Sequence, residues 1–261
     1  MGSMFDLTGR VALVTGGGSG IGRSICDGLA EFGADVVVAD LDEEGAKETV
    51  EAISKYGHRA MAIKVDVSKA QEVENMVSQT VAKFGRLDIA CNNAGGLVGR
   101  YRIHETPEEL WDKIMAVNFK GIFLCTKAEV TVMLKQKKGS IINTASVGAI
   151  VPGDPDTMGS IYDSAKGGVI VFSRKAAGEY GKEGIRINAI APGMIMGTKF
   201  AAERRKNAPE AATSKVKDSL AKMALGRPGS ADELKGIVVY LASDAASYAT
   251  GQVFVIDGGI S

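Results

Sequence analysis

In the segment Val11-Ala12-Leu13-Val14-Thr15-Gly16-Gly17-Gly18-Ser19-Gly20-Ile21-Gly22, a run of apolar and β-branched residues leads directly into a glycine-rich turn. Such a run, without polar alternation, is typical of a parallel strand buried on both faces. Glycine permits positive φ and lets a pyrophosphate approach the backbone, and a following helix offers free N–H groups. The segment therefore favours a phosphate cradle over a flexible turn, although Gly16, Gly20 and Gly22 do not have the strict G-x-G-x-x-G spacing.

Six further runs of the same kind follow along the chain, and helical patterns separate them. The predicted strands after Val11–Thr15 cover residues 36–39, 60–65, 87–91, 140–144, 186–190 and 252–256. Capping-box patterns mark three helix starts, at residues 68–71, 106–109 and 230–233. Repeated alternation of strand and helix predicts a doubly wound α/β sheet with helices on both faces. In such a sheet, ligands bind beyond the carboxyl ends of the strands.

The composition is that of an ordinary globular chain. With 261 residues, 45% hydrophobic and 24% charged, and without a linker or low-complexity tract, the sequence predicts one domain over residues 1–261. Residues 1–3, ahead of Met4, resemble a cloning scar, and no apolar run approaches the roughly 20 residues that span a bilayer. Because 31 basic residues balance 31 acidic ones, no net field favours nucleic acid or an anionic membrane as a partner.

The cysteines and histidines indicate no further chemistry. Cys26, Cys91 and Cys125 lie in apolar segments and form no CxxC pair, so they are predicted to be reduced core residues, and no metal site is expected. His58 and His104 lie in predicted turn or loop segments and are assigned no role. This cysteine usage predicts a cytoplasmic protein.

The second predicted strand leads into Asp40, eighteen residues after Gly22. A carboxylate at this point can accept hydrogen bonds from both hydroxyls of an adenosine ribose and would repel a 2′-phosphate, which favours NAD over NADP. The alternative is that Asp40 or Asp42 caps the next helix. Asp42, followed by Glu43 and Glu44, is the better cap, and that assignment leaves Asp40 for the ribose.

Small or polar residues also follow the later strands. Strands three to six lead into Asp66-Val67, Asn92-Asn93-Ala94-Gly95-Gly96, Asn143-Thr144-Ala145-Ser146 and Pro192-Gly193. Asp66 is either a contact to an adenine amino group or a turn residue ahead of Ser68. The segment after strand four either lets a cofactor pass close to the sheet or is a plain Asn-Gly turn. Ser146 puts a hydroxyl at the crevice, although a single serine is more often structural, and no histidine–acid pair indicates a hydrolase.

Tyr162 and Lys166 stand four residues apart in a segment, 159–180, that has the apolar spacing of a helix, so their side chains share one face. The phenol pKa of about 10 is too high for a base near neutrality. A cation about 4 Å away at an effective dielectric of about 20 is worth roughly 4 kcal/mol, which would lower that pKa by up to about three units. The alternative is a half-buried tyrosine beside a snorkelling lysine.

Taken together and in this order, the motifs resemble those of the short-chain dehydrogenase/reductase family, in its single-domain branch. The matching motifs are Thr15-Gly-x-x-x-Gly-x-Gly22, Asn92-Asn-Ala-Gly95, Asn118, Ser146, Tyr162-x-x-x-Lys166 and Pro192-Gly193. The resemblance covers nearly the whole chain, from Phe5 to Gly259. It implies a Rossmann-like sheet of seven parallel strands, a homotetramer, and a catalytic group made of Asn118, Ser146, Tyr162 and Lys166.

The resemblance also implies the role of each member of that group. Tyr162 would exchange a proton with the substrate oxygen while hydride passes between the carbinol carbon and the nicotinamide. Lys166 would lower the pKa of Tyr162 and bind the nicotinamide ribose, and Ser146 would orient the substrate oxygen. Asn118 would hold a water that links Lys166 to solvent. From its position alone, Asn118 is an ordinary polar residue within a helical segment, 108–135.

The dinucleotide contacts are likewise implied by the resemblance. They are Gly16, Ser19, Gly20, Ile21, Gly22, Asp40, Leu41, Asp66, Val67, Asn93, Ala94, Gly95, Tyr162, Lys166, Pro192, Gly193, Ile195 and Thr198. Two departures from the family pattern fall on the substrate side of the site. Fifteen residues separate Ser146 from Tyr162, with the extra length in residues 152–158, and Thr198 stands one residue later than the family's threonine.

The substrate pocket is expected to be formed by residues 96–99 and 147–158 and by a lid over residues 194–223. Its mostly apolar side chains predict a small or medium secondary alcohol or ketone, cyclic or aliphatic. One alternative is a reductase of 3-oxoacyl thioesters, which commonly prefers NADP and carries a basic residue where this chain has Ser19. The other is a non-catalytic NAD-binding regulator, against which the intact set of Ser146, Tyr162 and Lys166 argues, since a pure binder needs no such set.

Overall fold

Nine strands lie within the residues that the computed structural model describes, which are 3–96, 101–151, 159–197 and 223–261. They are β1 (Val11–Thr15), β2 (Asp35–Asp40), β3 (Ala60–Lys64), β4 (Ile89–Asn92), β5 (Gly139–Thr144), β6 (Ile185–Pro192), β7 (Ile195–Met196), β8 (Gly229–Ser230) and β9 (Val253–Ile256). Seven of them form one parallel sheet in the order β3-β2-β1-β4-β5-β6-β9. The predicted seven-stranded parallel sheet is therefore confirmed, and β7 and β8 form a separate short pair.

Helices connect these strands and cover the two faces of the sheet. In the described part of the chain they are α1 (Gly20–Glu31), α2 (Glu43–Ile53), α3 (Ala70–Phe84), α4 (Glu108–Met115), α5 (Gly121–Gln136), α6 (Ser160–Tyr180) and α7 (Lys235–Ala242). A single π-turn (Ala116–Lys120) joins α4 to α5. None of the helices in this described part is long and apolar enough to cross a membrane.

Two of the three predicted capping boxes are wrong. The hydroxyl of Ser68 donates to the carboxylate of Asp66 at 2.7 Å, and α3 begins two residues later without a side-chain cap. The hydroxyl of Thr106 donates to the carbonyl of Arg102 at 3.0 Å, and α4 also begins without one. In both cases the N-cap position falls one residue later than predicted, on Lys69 and on Pro107, and neither side chain forms a capping hydrogen bond. The box at Ser230 is formed as predicted.

The order of the strands reverses between β1 and β4. Thr15, at the end of β1, lies opposite Asn92 of β4, and Asn92 in turn lies opposite Asn143 of β5. In doubly wound sheets this reversal opens a crevice beyond the carboxyl ends of the strands. The glycine-rich turn and the segment that follows Asn92 are thereby brought to the same edge of the sheet.

Successive side chains of the strands point to opposite faces and enter two large apolar clusters. Leu13 and Val37 belong to one cluster, and Ala12 and Val14 belong to the other. The predicted core cysteines are confirmed: Cys26, Cys91 and Cys125 are buried and free, and burial raises the pKa of each thiol. A thiol that stays protonated in an apolar core is unreactive.

Candidate active site

The glycine-rich turn after β1 is packed too tightly for larger residues. Gly16 and Gly20 have positive φ values of 67° and 53°, and a Cβ atom on Gly16 would lie 2.9 Å from Cα of Ala94. A Cβ atom on Gly22 would collide with the carbonyl oxygen of Gly16. Ser19 occupies the N-cap position of α1, and no side chain in the described part of the chain caps this helix. The uncapped N–H groups and the positive end of α1 suit an anionic pyrophosphate.

Asp40 ends β2 with its carboxylate already held in place. Its two oxygens accept hydrogen bonds of 2.9 Å from the backbone N–H groups of Gly18 and Asp42. Asp42 accepts from the N–H of Gly45 at 3.2 Å at the start of α2, so the prediction that Asp42 caps this helix is confirmed. The carboxylate of Asp40 is therefore not reserved for a ribose alone, since it already has two backbone partners. Each of its oxygens can still accept a further hydrogen bond from a ribose hydroxyl. The next residue, Leu41, is 64% exposed.

Thr15 joins the glycine-rich turn to the segment that follows β4. Its hydroxyl oxygen accepts hydrogen bonds of 3.1 Å from the backbone N–H groups of Asn93 and Ala94. The amide of Asn93 donates back to the carbonyl of Thr15 at 3.2 Å and to that of Gly16 at 3.4 Å. These bonds fix the two walls of the crevice relative to one another. This role of Thr15 is not visible in the sequence, because its partners are far away along the chain.

Asp66 forms the turn ahead of Ser68, which is one of the two roles that the sequence left open for it. Its carboxylate accepts from the backbone N–H of Ser68 at 2.9 Å as well as from the Ser68 hydroxyl, while its own N–H donates to Glu72 at 2.8 Å. A contact from Asp66 to adenine remains a prediction. Val67 is buried against Gly121, where a Cβ atom would lie 3.0 Å from the Val67 methyl group.

Lys166 is almost completely buried beside the carboxyl end of β5. Its ammonium group donates a hydrogen bond of 2.8 Å to the carbonyl of Thr144 and lies 5.7 Å from the ring centroid of Tyr162. A Cβ atom on Gly95 would lie 3.2 Å from Nζ of Lys166 and 2.8 Å from Oδ1 of Asn118, so these three residues converge. Burial lowers the pKa of Lys166 from its usual 10.5 to about 8.

Asn118 is buried in the π-turn between α4 and α5. Its amide nitrogen donates to the carbonyl oxygens of Gly96 and Ile114, both at 2.9 Å, and its amide oxygen accepts from the N–H of Gly96 at 3.0 Å. The predicted helical segment 108–135 is therefore interrupted at this residue. π-turns within helices often occur at functional sites. The residue types around Asn118 gave no sign of the interruption.

Ser146 follows β5 and begins a short 3-10 turn (Val147–Ala149). Its hydroxyl oxygen accepts a hydrogen bond of 3.2 Å from the N–H of Gly148, which leaves its proton for another acceptor. A Cβ atom on Gly148 would collide with the carboxylate of Asp163, in the first turn of α6. The turn that carries Ser146 thus packs directly against the helix turn that carries the half-buried Tyr162.

The residues that follow β6 form the remaining wall of the crevice. The N–H of Gly193, after Pro192, donates to the carbonyl of Ile256 at 2.9 Å, and a Cβ atom on Gly193 would lie 2.6 Å from Cα of Asp257. Ile195 is buried in β7. Thr198, the pocket residues 97–99 and 152–158, and most of the expected lid lie outside the described residues.

A family described as enoyl-(acyl carrier protein) reductase matches residues 16–261 of this chain. The short-chain dehydrogenase/reductase astE of Aspergillus oryzae is 40% identical over 98% of this chain and 97% of its own length. The 2,5-dichloro-2,5-cyclohexadiene-1,4-diol dehydrogenase of Sphingobium indicum is 39% identical over 99% of both chains. The 3-oxoacyl-[acyl-carrier-protein] reductase of Synechocystis is 38% identical over 98% of this chain and 99% of its own length.

Solved structures give the same picture of the fold. The crystal structure of levodione reductase superimposes with a TM-score of 0.91 at 36% identity, covering 97% of this chain and 98% of that one. The NADPH-dependent 3-quinuclidinone reductase of Rhodotorula rubra superimposes with a TM-score of 0.89 at 32% identity, covering 98% and 93%. At these identities and coverages, this chain shares its fold with these two enzymes.

Proposed function

This chain belongs to the short-chain dehydrogenase/reductase family of oxidoreductases, which act on alcohols and ketones with a nicotinamide cofactor, and from that premise we propose a more specific activity. The protein transfers a hydride between NAD and a small or medium secondary alcohol or the corresponding ketone, and Tyr162 is the general acid/base. One observation carries this proposal: the buried Lys166 lies beside Tyr162 and converges with Asn118 at the crevice.

The proposed chemistry needs one proton and one hydride. When bound, the nicotinamide ring accepts the hydride in alcohol oxidation and supplies it in ketone reduction. In oxidation, the ionised Tyr162 takes the hydroxyl proton of the alcohol as the carbinol carbon loses its hydride. In reduction, the neutral Tyr162 returns a proton to the carbonyl oxygen. A general acid/base of this kind typically contributes about 10²- to 10⁴-fold to the rate.

The neighbouring residues support Tyr162 in this scheme. The charge of Lys166 favours the ionised phenol. Its hydrogen bond to Thr144 holds the ammonium group in place, and its remaining N–H groups are available to a ribose hydroxyl. Ser146 orients the substrate oxygen by donating a hydrogen bond to it, and keeps its proton throughout. Asn118, fixed by its two bonds to Gly96, holds the water that connects Lys166 to solvent.

The preference for NAD rests on Asp40. Its carboxylate is fixed by two backbone N–H groups at the end of β2, where it can accept from the adenosine ribose and repel a 2′-phosphate. Gly16, Gly20 and Gly22, with the uncapped start of α1, would hold the pyrophosphate. Because one relative of known structure is NADPH-dependent, the preference of this chain requires its own measurement.

The substrate is proposed from the apolar residues around the crevice. Ile150 and Met196 are 43% and 42% exposed next to the site, which suits a hydrocarbon ring or chain. Relatives named for a cyclohexadiene diol and for quinuclidinone support a cyclic substrate.

A reductase of 3-oxoacyl thioesters is the second candidate, because a relative of that name covers almost the whole chain. Ser19, where such reductases commonly have a basic residue, and Asp40 both count against it. The deciding experiment is a panel of cyclohexanol, 2-butanol, 1-phenylethanol, their ketones and acetoacetyl-CoA, each with NAD(H) and NADP(H). Turnover of the simple alcohols or ketones with NAD(H) supports the proposal, and turnover of acetoacetyl-CoA alone supports the second candidate.

We also propose that the protein is a cytoplasmic homotetramer with a single domain. Helices α4, α5 and α6 present the large apolar side chains of Trp111, Phe123 and Val171, which are 48%, 46% and 57% exposed. On the terminal strand β9, Val255 is 40% exposed. Faces of this kind suit burial against further copies of the chain. Light scattering during size-exclusion chromatography tests this, and a monomer at micromolar concentration contradicts it.

A further inference from the structure

A chain of buried polar side chains lies beneath the crevice. The amide nitrogen of Asn92 donates to Glu129 at 2.9 Å and to the amide oxygen of Asn143 at 3.0 Å. The amide nitrogen of Asn143 donates to the hydroxyl of Ser173 at 2.9 Å, and this hydroxyl donates to the carbonyl of Val169 at 2.8 Å. Glu129, Asn92, Asn143 and Ser173 are all buried, so solvent does not compete for these bonds.

Each of these four residues belongs to a helix or strand that also carries part of the site. Asn92 ends β4, directly ahead of the segment that contains Gly95. Asn143 precedes Thr144, whose carbonyl holds Lys166. Ser173 stands on α6 seven residues after Lys166, about two helical turns away and on the same face. Glu129 lies on α5, which continues from the π-turn that contains Asn118.

Glu129 is the unusual residue among these four. Within the described residues it forms no ion pair; Asn92 donates to it, and the thiols of Cys91 and Cys125 are close enough to interact with it electrostatically. Burial raises the pKa of Glu129 from its usual 4.5 to about 8, so the carboxyl group is largely neutral at pH 7. One oxygen of Glu129 and the amide oxygen of Asn92 have no hydrogen-bond partner in the described part of the chain.

Stability alone does not account for such a cluster. An apolar side chain at position 129 would pack against Cys91 and Cys125 without the cost of burying unpartnered polar atoms. Directional bonds, in contrast to apolar contacts, fix the rotation and the relative height of the elements that they join. The bonds from Asn92 to Asn143 and from Asn143 to Ser173 join the ends of β4 and β5 to α6.

We propose that Glu129 is a positioning residue for the reaction: through Asn92 and Asn143 it fixes the carboxyl ends of β4 and β5 against α6, and thereby sets where Lys166 lies relative to Thr144 and Tyr162. The inference rests on the proposed function, since it gives Glu129 a part only because Tyr162 and Lys166 act on the substrate. Glu129 itself touches neither substrate nor cofactor.

The test compares Glu129→Met with Glu129→Gln. Methionine is similar in size but cannot accept from Asn92, whereas glutamine keeps an acceptor oxygen. Ser140→Ala is the matched control, because Ser140 is also buried on β5 and donates to the carbonyl of Leu241 at 2.8 Å, but at the opposite end of the strand from the site. Oxidation of the best alcohol of the panel with NAD is followed from pH 6 to pH 10.

For Glu129→Met, kcat is expected to fall about tenfold, since small displacements of reacting groups have effects of this size. The acidic limb of kcat/KM should move to higher pH, because a displaced Lys166 lowers the pKa of Tyr162 less. Glu129→Gln should stay within about twofold of the parent protein. Crystal structures of both variants give a readout without turnover: the bond from Lys166 to Thr144 should persist in the glutamine variant and lengthen in the methionine variant.

The inference is overturned if Glu129→Met keeps the parent pH profile and the bond from Lys166 to Thr144, and merely loses stability as Ser140→Ala does. If Glu129→Met does not fold, Ser173→Ala breaks the series of hydrogen bonds at its other end. This variant should also move the acidic limb of kcat/KM to higher pH. Tyr162→Phe separates the two proposals. Full turnover in that variant would overturn the proposed function, whereas its inactivity together with an unshifted Glu129→Met profile would overturn only the role of Glu129.

Discussion

The ammonium nitrogen of Lys166 lies 2.8 Å from the carbonyl oxygen of Thr144, and this is the hydrogen bond that orients the buried cation. Thr144 ends β5, whereas Lys166 lies in the second turn of α6. The contact therefore ties the end of a central strand to the helix that also carries Tyr162. A lysine held in this way is costly to bury, because the charged form is deprived of water.

Lys166→Met is expected to abolish turnover while it preserves or raises the stability of the protein without cofactor. Lowering the pKa of Lys166 from 10.5 to about 8 corresponds to roughly 3 kcal/mol of cost for the charged form in the folded state. Since the folded pKa is depressed, this cost is complete below pH 8 and disappears as the pH rises towards 10.5. The gain in the free energy of unfolding should therefore be larger at pH 7 than at pH 10, as measured by urea denaturation. This account is contradicted if Lys166→Met is less stable than the parent protein at pH 7 and loses the same free energy of unfolding at pH 10.

Tyr162→Phe is expected to lower kcat by at least about 10²-fold, because the phenylalanine ring can neither take nor return the proton. Binding of NADH, followed by its fluorescence, should change little. Tyr180→Phe is the control, since Tyr180 ends the same helix and packs against the apolar core. Equal activity of the two variants would exclude Tyr162 as the acid/base.

Asp40→Asn is expected to lower kcat/KM with NAD by about tenfold and to raise the ratio of activity with NADP to activity with NAD. The substitution removes the charge that repels a 2′-phosphate and one of the ribose acceptors. Asp42→Asn is the matched control, because asparagine caps a helix as well as aspartate does and should leave both activities unchanged. Parallel losses with both cofactors in Asp40→Asn would show that Asp40 only supports the glycine-rich turn through Gly18.

Glu129→Gln is expected to flatten the pH dependence of stability. Because the folded pKa of Glu129 is raised from 4.5 to about 8, the neutral acid stabilises the folded state most at low pH. That contribution declines between pH 4.5 and pH 8, by at most about 1.4 kcal/mol per pH unit. Urea denaturation at pH 5, 6.5 and 8 should show a smaller decline in the variant than in the parent. Parallel curves would mean that Glu129 is already ionised at pH 5.

The sequence predicted the elements that depend on local pattern. The seven strands of the sheet appear where continuous apolar runs predicted them, with shifts of one or two residues at their ends. Capping was predicted less well, because the N-cap positions fall one residue after Ser68 and Thr106, whose hydroxyl groups donate to Asp66 and Arg102 instead. A short side chain bonds to whatever lies within reach, and that depends on how the backbone turns rather than on residue order alone.

What this sequence determined by itself was the seven-stranded parallel sheet and the set of motifs at its carboxyl edge, because buried runs and glycine turns are local in the chain. Only the tertiary structure decided the partners of these residues: the carbonyl of Thr144 for Lys166, the π-turn that buries Asn118 against Gly96, and the link from Glu129 to Asn92. Each of these bonds joins elements that are distant in sequence, and a carbonyl group is present at every residue. No pattern of side chains can therefore indicate which carbonyl a buried cation will meet, since the packing of helix against sheet makes that selection.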